Sequence, residues 1–194
     1  MTRRSRPLSV DPGHPAPEPE RRDRDPRVRR GLAVLFDWGE TVMRVFPGAV
    51  GPMVHWPRVE AVPGVRRALV ALRPQAVLGL ATNAADSDAA EIRAALVRVR
   101  LSSYFEKLYC YRGLGVRKPS PEYFAAVLAD LGLPPERVVM VGDEWRADID
   151  GALAAGLWAV WYDPGHRGEC RHERARTLHD MHRLPAALQE WGLV

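Results

Sequence analysis

The side chains able to do chemistry in this chain are few, and they stand in a fixed order. Asp37 follows the apolar run 32–36, Thr82 and Asn83 follow the run 76–81, and Asp143 and Glu144 follow the run 138–141, with Asp148 five residues later. Between them, Lys118 and Pro119 open a helical pattern. Taken singly, an Asp after an apolar run is usually a turn or capping residue. Taken together, these residues can build a phosphoryl-transfer site. A carboxylate such as that of Asp37 can attack phosphorus and form an aspartyl-phosphate, dividing one displacement into two easier ones. A second carboxylate facing it, that of Asp143, needs a cation to relieve the repulsion, and a hard oxygen site beside a phosphate suits Mg²⁺. The transferred group spreads negative charge over its oxygens and calls for fixed donors. The Thr82 hydroxyl, the Asn83 N–H and the Lys118 ammonium would supply them.

Residue usage adds weight to one of these. Of 28 basic residues only Lys107 and Lys118 are lysines; every other one is Arg. An ammonium is a compact point charge and a guanidinium a planar fork, so a lone Lys at a strand-end site points to a slot that the larger group would not fit.

The elements that must position these residues alternate along the chain. Apolar runs at 32–36, 76–81, 107–111, 138–141 and 158–162 predict strands, with 176–178 a candidate sixth. Helical periodicity marks 64–73, 86–98, 121–131, 147–155 and 185–191. Pro121 and Pro185 suit first helical turns, and Gly132 and Gly156 suit helix ends. Strands that are apolar throughout and separated by helices predict an α/β fold, a doubly wound, Rossmann-like, mostly parallel sheet of five to six strands between two helical layers. Ligands in such sheets sit beyond the carboxyl ends of the strands, where the residues above fall.

The segments FDWGET, ATN, VRKPSPEYF and VGDEWRADIDGALAAG, in that order, resemble the four motifs of the haloacid dehalogenase-like (HAD) hydrolase superfamily. The resemblance spans about residues 31–192, with 45 residues from Asp37 to Thr82, 36 on to Lys118 and 25 on to Asp143. It implies a Mg²⁺-dependent phosphatase with Asp37 as nucleophile and with Asp37, Asp143 and the backbone carbonyl of Gly39 around the metal. It implies too that Thr82 and Lys118 bind the phosphoryl group and that Asp148 orients water beside the metal. A response-regulator receiver also combines Asp, Thr and Lys, but there the acidic pair precedes the phosphorylated Asp, whereas here the Gly-Asp segment comes last.

One position departs from the family pattern. Family phosphatases carry a second Asp two residues after the nucleophile, which protonates the leaving oxygen and then activates water; here that residue is Gly39. Glu40 stands where the family commonly has Gly. General acid–base help is worth on the order of 10²- to 10⁴-fold, so three readings follow. The chain is a slow or selective phosphatase, a hydrolase of the dehalogenase or phosphonatase kind, which also lacks that Asp, or an idle module that keeps the phosphate pocket for recognition. The first is the expectation, with a phosphorylated small molecule or an accessible macromolecular phosphoester as substrate.

Residues 42–62 leave room for a flap but for no sizeable cap domain, so the expectation is a capless site, either open or closed by another subunit of a homo-oligomer. His55 and Trp56 in that flap could touch substrate. His166, Cys170 and His172 lack a fourth ligand and a recognised metal-site spacing.

Charge and composition exclude other classes. The chain has 194 residues, 46% of them hydrophobic, enough for one domain with a substantial core at 31–194. Residues 1–30 are Arg- and Pro-rich and are expected to be a flexible tail. That tail holds nine Arg against five acidic residues, so the net charge of +4 lies within it and the remaining 19 basic and 19 acidic residues cancel. A neutral domain argues against nucleic-acid binding, which needs a basic face. No apolar run reaches the roughly 20 residues of a membrane span. Two distant cysteines and the lack of a secretory apolar segment point to a cytoplasmic protein.

Overall fold

The computed structural model describes residues 31–194, and the tail expected at 1–30 lies outside the described residues. Six strands form one parallel sheet: β1 Ala33–Phe36, β2 Val77–Thr82, β3 Lys107–Cys110, β4 Val138–Gly142, β5 Trp158–Tyr162 and β6 Ala175–Leu178. Their order across the sheet is β3-β2-β1-β4-β5-β6. The chain therefore winds outward from β1 in one direction through β2 and β3, and in the other through β4 to β6. The place where it changes direction is the crevice beyond the carboxyl ends of β1 and β4. In register, Phe36 pairs with Leu80 of β2 and with Val141 of β4, which aligns the ends of the three central strands.

The helices are α1 Val65–Leu72, α2 Ala89–Arg98, the short α3 Tyr111–Leu114, α4 Pro121–Leu131, α5 Gly151–Ala154 and α6 Leu184–Glu190. Alternate strand residues face opposite ways and feed two cores. Val34, Phe36, Leu78, Leu80, Val139, Val141 and Val160 pack with Leu69 of α1, Leu96 of α2 and Leu188 of α6. Leu35, Ala81, Tyr109, Met140 and Ala159 pack with Phe124 and Val127 of α4 and with Ala152 of α5. Both faces of the sheet are covered at its centre, which is why β1 and β4 are apolar and buried at every position, while the edge strands β3 and β6 admit Lys107, Arg176 and Thr177.

Local chemistry sets the ends of the elements. Helix α2 starts three residues later than its periodicity alone suggests, because Asp88 caps it: the carboxylate accepts from the Ala90 and Glu91 N–H groups while the Glu91 side chain accepts from the Asp88 N–H. Helix α4 has Ser120 as its cap, Pro121 in the first turn and Gly132 in the left-handed conformation at its end, with φ 62°. The strand expected to run through Tyr111 stops at Cys110, and Tyr111 begins the turn of α3.

Between β1 and α1 the chain makes a flap. It holds one 3₁₀ turn, Met53–His55, and is tied down by single bridges that pair Met43 with Gly39 and with Ala61. No helix of the described residues is long and apolar enough to cross a membrane.

Leu80→Ala, at a fully buried position of β2, should cost about 3 kcal/mol in urea unfolding. Asp88→Ala should cost about 1 kcal/mol, since only the cap of α2 is lost.

Candidate active site

Every residue singled out at the strand ends arrives in the crevice beside β1. Asp37 lies one residue past β1, where its N–H donates to the Val141 carbonyl at 2.8 Å and so continues the pairing with β4. The Lys118 ammonium stands 2.8 Å from Asp37 Oδ1 and 2.5 Å from Asp148 Oδ1. The Lys118 and Asp148 side chains are each 1% exposed and that of Asp37 is 15% exposed, so of the three only Asp37 faces the cavity openly. Lys118 is buried as an ion because two carboxylates hold it; unpaired, a buried ammonium is strongly disfavoured.

Asn83 holds the backbone that carries this lysine. Its side-chain amide donates to the Lys118 carbonyl at 2.9 Å and its side-chain carbonyl accepts from the Lys118 N–H at 2.9 Å. The sequence reading assigned Asn83 a backbone donor; this side-chain clamp is an additional task that only the packing discloses. Thr82 is buried beside it, and its hydroxyl oxygen accepts from the Ala84 N–H at 3.2 Å.

Asp148 owes its position to an irregular helix and a glycine. After β4 the chain enters a π-helical turn, Trp145–Asp150, ahead of α5. The expected helix at 147–155 thus begins earlier and with a wider turn, a feature common at functional sites. The wide turn carries the Asp148 carboxylate back toward the sheet, where Oδ2 accepts from the Glu144 N–H at 3.1 Å. A Cβ on Gly142 would lie 2.1 Å from Asp148 Oδ2, so only glycine permits this approach. Gly151 does the same for the other core: a Cβ there would sit 2.8 Å from both Phe124 and Pro119.

The carboxylates of Asp37, Asp143 and Asp148 bring one oxygen each to within 4.8 Å of one another. The Thr41 hydroxyl donates to Asp143 Oδ1 at 3.1 Å, and Trp161 Nε1 and Arg167 Nη2 each donate to the Asp143 backbone carbonyl at 3.1 Å. Burial and the neighbouring Asp37 charge push the Asp143 carboxyl up to about 6, against the pull of the Thr41 hydrogen bond. Burial also drives the Asp148 carboxyl upward; Lys118 opposes this and Asp37 reinforces it. Burial alone would lower the Lys118 ammonium, yet Asp37 and Asp148 outweigh it and hold the ammonium above its ordinary value.

This donor set fits a divalent cation. Three crowded carboxylates share one ammonium, and hard oxygen donors at this spacing suit Mg²⁺ or a similar ion. Both Asp148 oxygens are engaged, one by Lys118 and one by the Glu144 N–H. Asp37 and Asp143 are therefore the residues with oxygens to spare. The Gly39 carbonyl accepts from the Thr41 N–H at 2.6 Å and retains a second lone pair.

Above the carboxylates is a cavity of about 360 Å³, bounded by Asp37, Gly39, Thr82, Asn83, Lys118, Asp143 and Glu144 below and by Val45, Gly51, Met53 and Trp56 of the flap. Glu40 lines it too, in a left-handed conformation with φ 52°, but its Oε1 accepts from the Val45 N–H at 2.8 Å. Trp38, inside the FDWGET segment, and Asp86, three residues past Asn83, also line the cavity, and neither has a role assigned from the sequence. His55 is exposed and outside the lining, whereas Trp56 is part of it. His166 stacks on His179 and the Cys170 N–H bonds Thr177; among the described residues the three carboxylates are the one group of potential ligands that converges.

A family model of haloacid dehalogenase-like hydrolases matches residues 53–156. The chain belongs to this family. Over 109 residues this HAD-like hydrolase is 32% identical to a glyceraldehyde 3-phosphate phosphatase of Pyrococcus furiosus, the match covering 56% of this chain and 44% of that enzyme. It is 35% identical over 127 residues to a pyrimidine 5'-nucleotidase of Escherichia coli, covering 63% of this chain and 55% of that one. The chain thus spans about half the length of these curated relatives. The fold is also that of an uncharacterized protein from Listeria monocytogenes, at TM-score 0.74 and 24% identity over 84% of this chain and 99% of the other.

The crowding of carboxylates has a measurable consequence. Asp143 holds its proton more tightly folded than unfolded, so in EDTA the protein should lose stability as pH rises from about 4 to 6. Asp143→Asn should raise the melting temperature in EDTA at neutral pH and should remove any stabilisation that a divalent cation such as Mg²⁺ gives the wild type, both readable by thermal unfolding.

Proposed function

We propose that this chain hydrolyses phosphomonoesters, with a divalent cation, Mg²⁺, as cofactor and Asp37 as nucleophile. The observation that carries the reading is the Lys118 ammonium bridging Asp37 and Asp148 at the floor of the cavity, with the Asp143 carboxylate beside them. Lys118 engages Oδ1 of Asp37 and so leaves Oδ2 to attack. The new bond joins Oδ2 to phosphorus as the ester P–O bond breaks, and the leaving oxygen departs as its anion and takes its proton from solvent. Water then attacks the aspartyl-phosphate, releasing inorganic phosphate and regenerating the Asp37 carboxylate. The Thr82 hydroxyl, the Asn83 N–H and the Lys118 ammonium are the donors assigned to the phosphoryl oxygens. Asp37, Asp143 and the Gly39 carbonyl would hold the cation, which supplies charge neutralisation for phosphate entering an otherwise acidic site. Asp148 acts through Lys118 and the Glu144 N–H as a positioning residue. The related enzymes named as a phosphatase and a nucleotidase support this class of reaction.

Gly39 shapes the expected selectivity. It offers no acid for the leaving oxygen, and the one carboxylate next to it in sequence, that of Glu40, is turned to the Val45 N–H. Substrates whose alcohols leave without protonation are therefore favoured. The same absence supports a second reading, an idle phosphate-binding module, while the convergence of carboxylates that need a cation favours phosphate chemistry over dehalogenation.

Purified protein should release p-nitrophenol from p-nitrophenyl phosphate and hydrolyse acetyl phosphate in Mg²⁺, with EDTA or Asp37→Asn abolishing both. Phosphate binding without turnover would establish the idle module, and chloride release from a 2-haloacid would establish the dehalogenase. A Cβ on residue 39 would meet only the tip of the exposed Val45 side chain, at 3.2 Å, so Gly39→Asp should fold. It should raise turnover of alkyl phosphates roughly 10- to 100-fold while changing p-nitrophenyl phosphate much less.

A further inference from the structure

The cavity walls carry a charge pattern that phosphoryl transfer itself does not require. We propose that they select the leaving group, accepting phosphomonoesters whose alcohol is neutral or cationic with a flat or apolar face and refusing those with a second anionic group. This rests on the phosphatase reading and narrows its substrate class.

Beyond Asp37 and Asp143, the carboxylates of Glu40, Asp86 and Glu144 line the cavity. The one cation among its described lining residues is Lys118, already bound to two carboxylates. One phosphoryl group can be met by the bound cation. A second anion would share one cavity with these three further acidic residues and with no free cation to answer it.

The arginines of the flap do not supply that answer. Arg44 and Arg58 both pair with Glu60 and lie against the Phe46 ring. Arg167 is held by Asp163 and by the Asp143 carbonyl.

The rest of the wall is apolar, and its polar edges are occupied. The Trp56 indole N–H donates to the Val50 and Gly51 carbonyls at 3.1 and 3.0 Å, and the Trp38 N–H points to the Met43 sulfur at 3.2 Å. Neither indole has a donor left for an anion, so both present carbon surface beside Val45 and Met53. That surface is built in advance. Arg98 of α2 donates to the carbonyls of Val54, Trp56 and Pro57 at 3.0, 2.6 and 3.3 Å and fixes the flap against the domain.

The test compares phenyl phosphate, 4-carboxyphenyl phosphate and phosphotyramine, whose phenol leaving groups are alike and whose charges differ. In Mg²⁺, kcat/KM should be about tenfold lower for the carboxylated ester than for phenyl phosphate, and highest for phosphotyramine. The gap should narrow with added NaCl and in the combined variant Glu40→Gln, Asp86→Asn, Glu144→Gln. Equal or better hydrolysis of the carboxylated ester overturns the proposal. If no ester turns over, quenching of tryptophan fluorescence by phenylphosphonate and 4-carboxyphenylphosphonate decides it. Tighter binding of phenylphosphonate than of its carboxylated analogue sustains the charge selection while removing the phosphatase reading; equal, reversed or absent binding removes the selection.

Discussion

A single ammonium buried between two carboxylates is the constraint around which this molecule is arranged. Lys118 cannot remain charged in the interior without Asp37 and Asp148, and neither carboxylate would tolerate the other so closely without Lys118. Each of the three comes from a different part of the chain, so their meeting demands that several elements end at one place. The alignment of β1, β2 and β4 brings Asp37 and Asn83 to one edge, and Asn83 then grips the Lys118 backbone from both sides. The π turn after β4 supplies the third member. Such a constellation is fragile to backbone shifts, and the glycines at 142 and 151 are where the backbone gives way to allow it.

The electrostatics of the cavity follow from the same arrangement. Once Lys118 is engaged by Asp37 and Asp148, the remaining carboxylates of Asp143, Glu40, Asp86 and Glu144 have no positive partner inside the cavity. An acidic pocket that handles phosphate is a contradiction unless a cation enters with it, and the raised proton affinity of Asp143 expresses that same unmet demand. In the proposed reaction Gly39 then makes the leaving group decisive, because the protein offers it no proton. On that proposal, selectivity would rest less on the chemistry at phosphorus than on the fit and charge of the alcohol against the walls of the cavity.

The flap illustrates how a segment without regular structure becomes a wall. It has one 3₁₀ turn and two single bridges, yet Arg98 reaches from α2 to three of its carbonyls and Trp56 folds its polar edge back onto it. Backbone groups that would otherwise need water are satisfied internally. The apolar rings of Trp38 and Trp56 are left lining the cavity that Asp37 also lines.

What the sequence determined by itself was the sheet and the addresses of the chemistry. Apolar runs covered on both faces leave an unmistakable pattern; Asp37, Thr82 and Asp143 could be found because each follows such a run, and Lys118 because it opens a helical pattern in a chain that writes Arg almost everywhere else. The sequence also showed the departure at Gly39, since that depends on residue identity alone. Tertiary structure decided everything that depends on a side chain's second neighbour. That Asn83 clamps Lys118, that Thr41 supports Asp143, that Glu40 turns to the Val45 N–H, and that Asp86 and Trp38 line the cavity are relations between segments far apart in the chain or between bonds of nearly equal local cost. Local periodicity records which face a residue buries. It does not record which partner, tens of residues away, waits on that face, because the partner is chosen by the closing of the whole sheet.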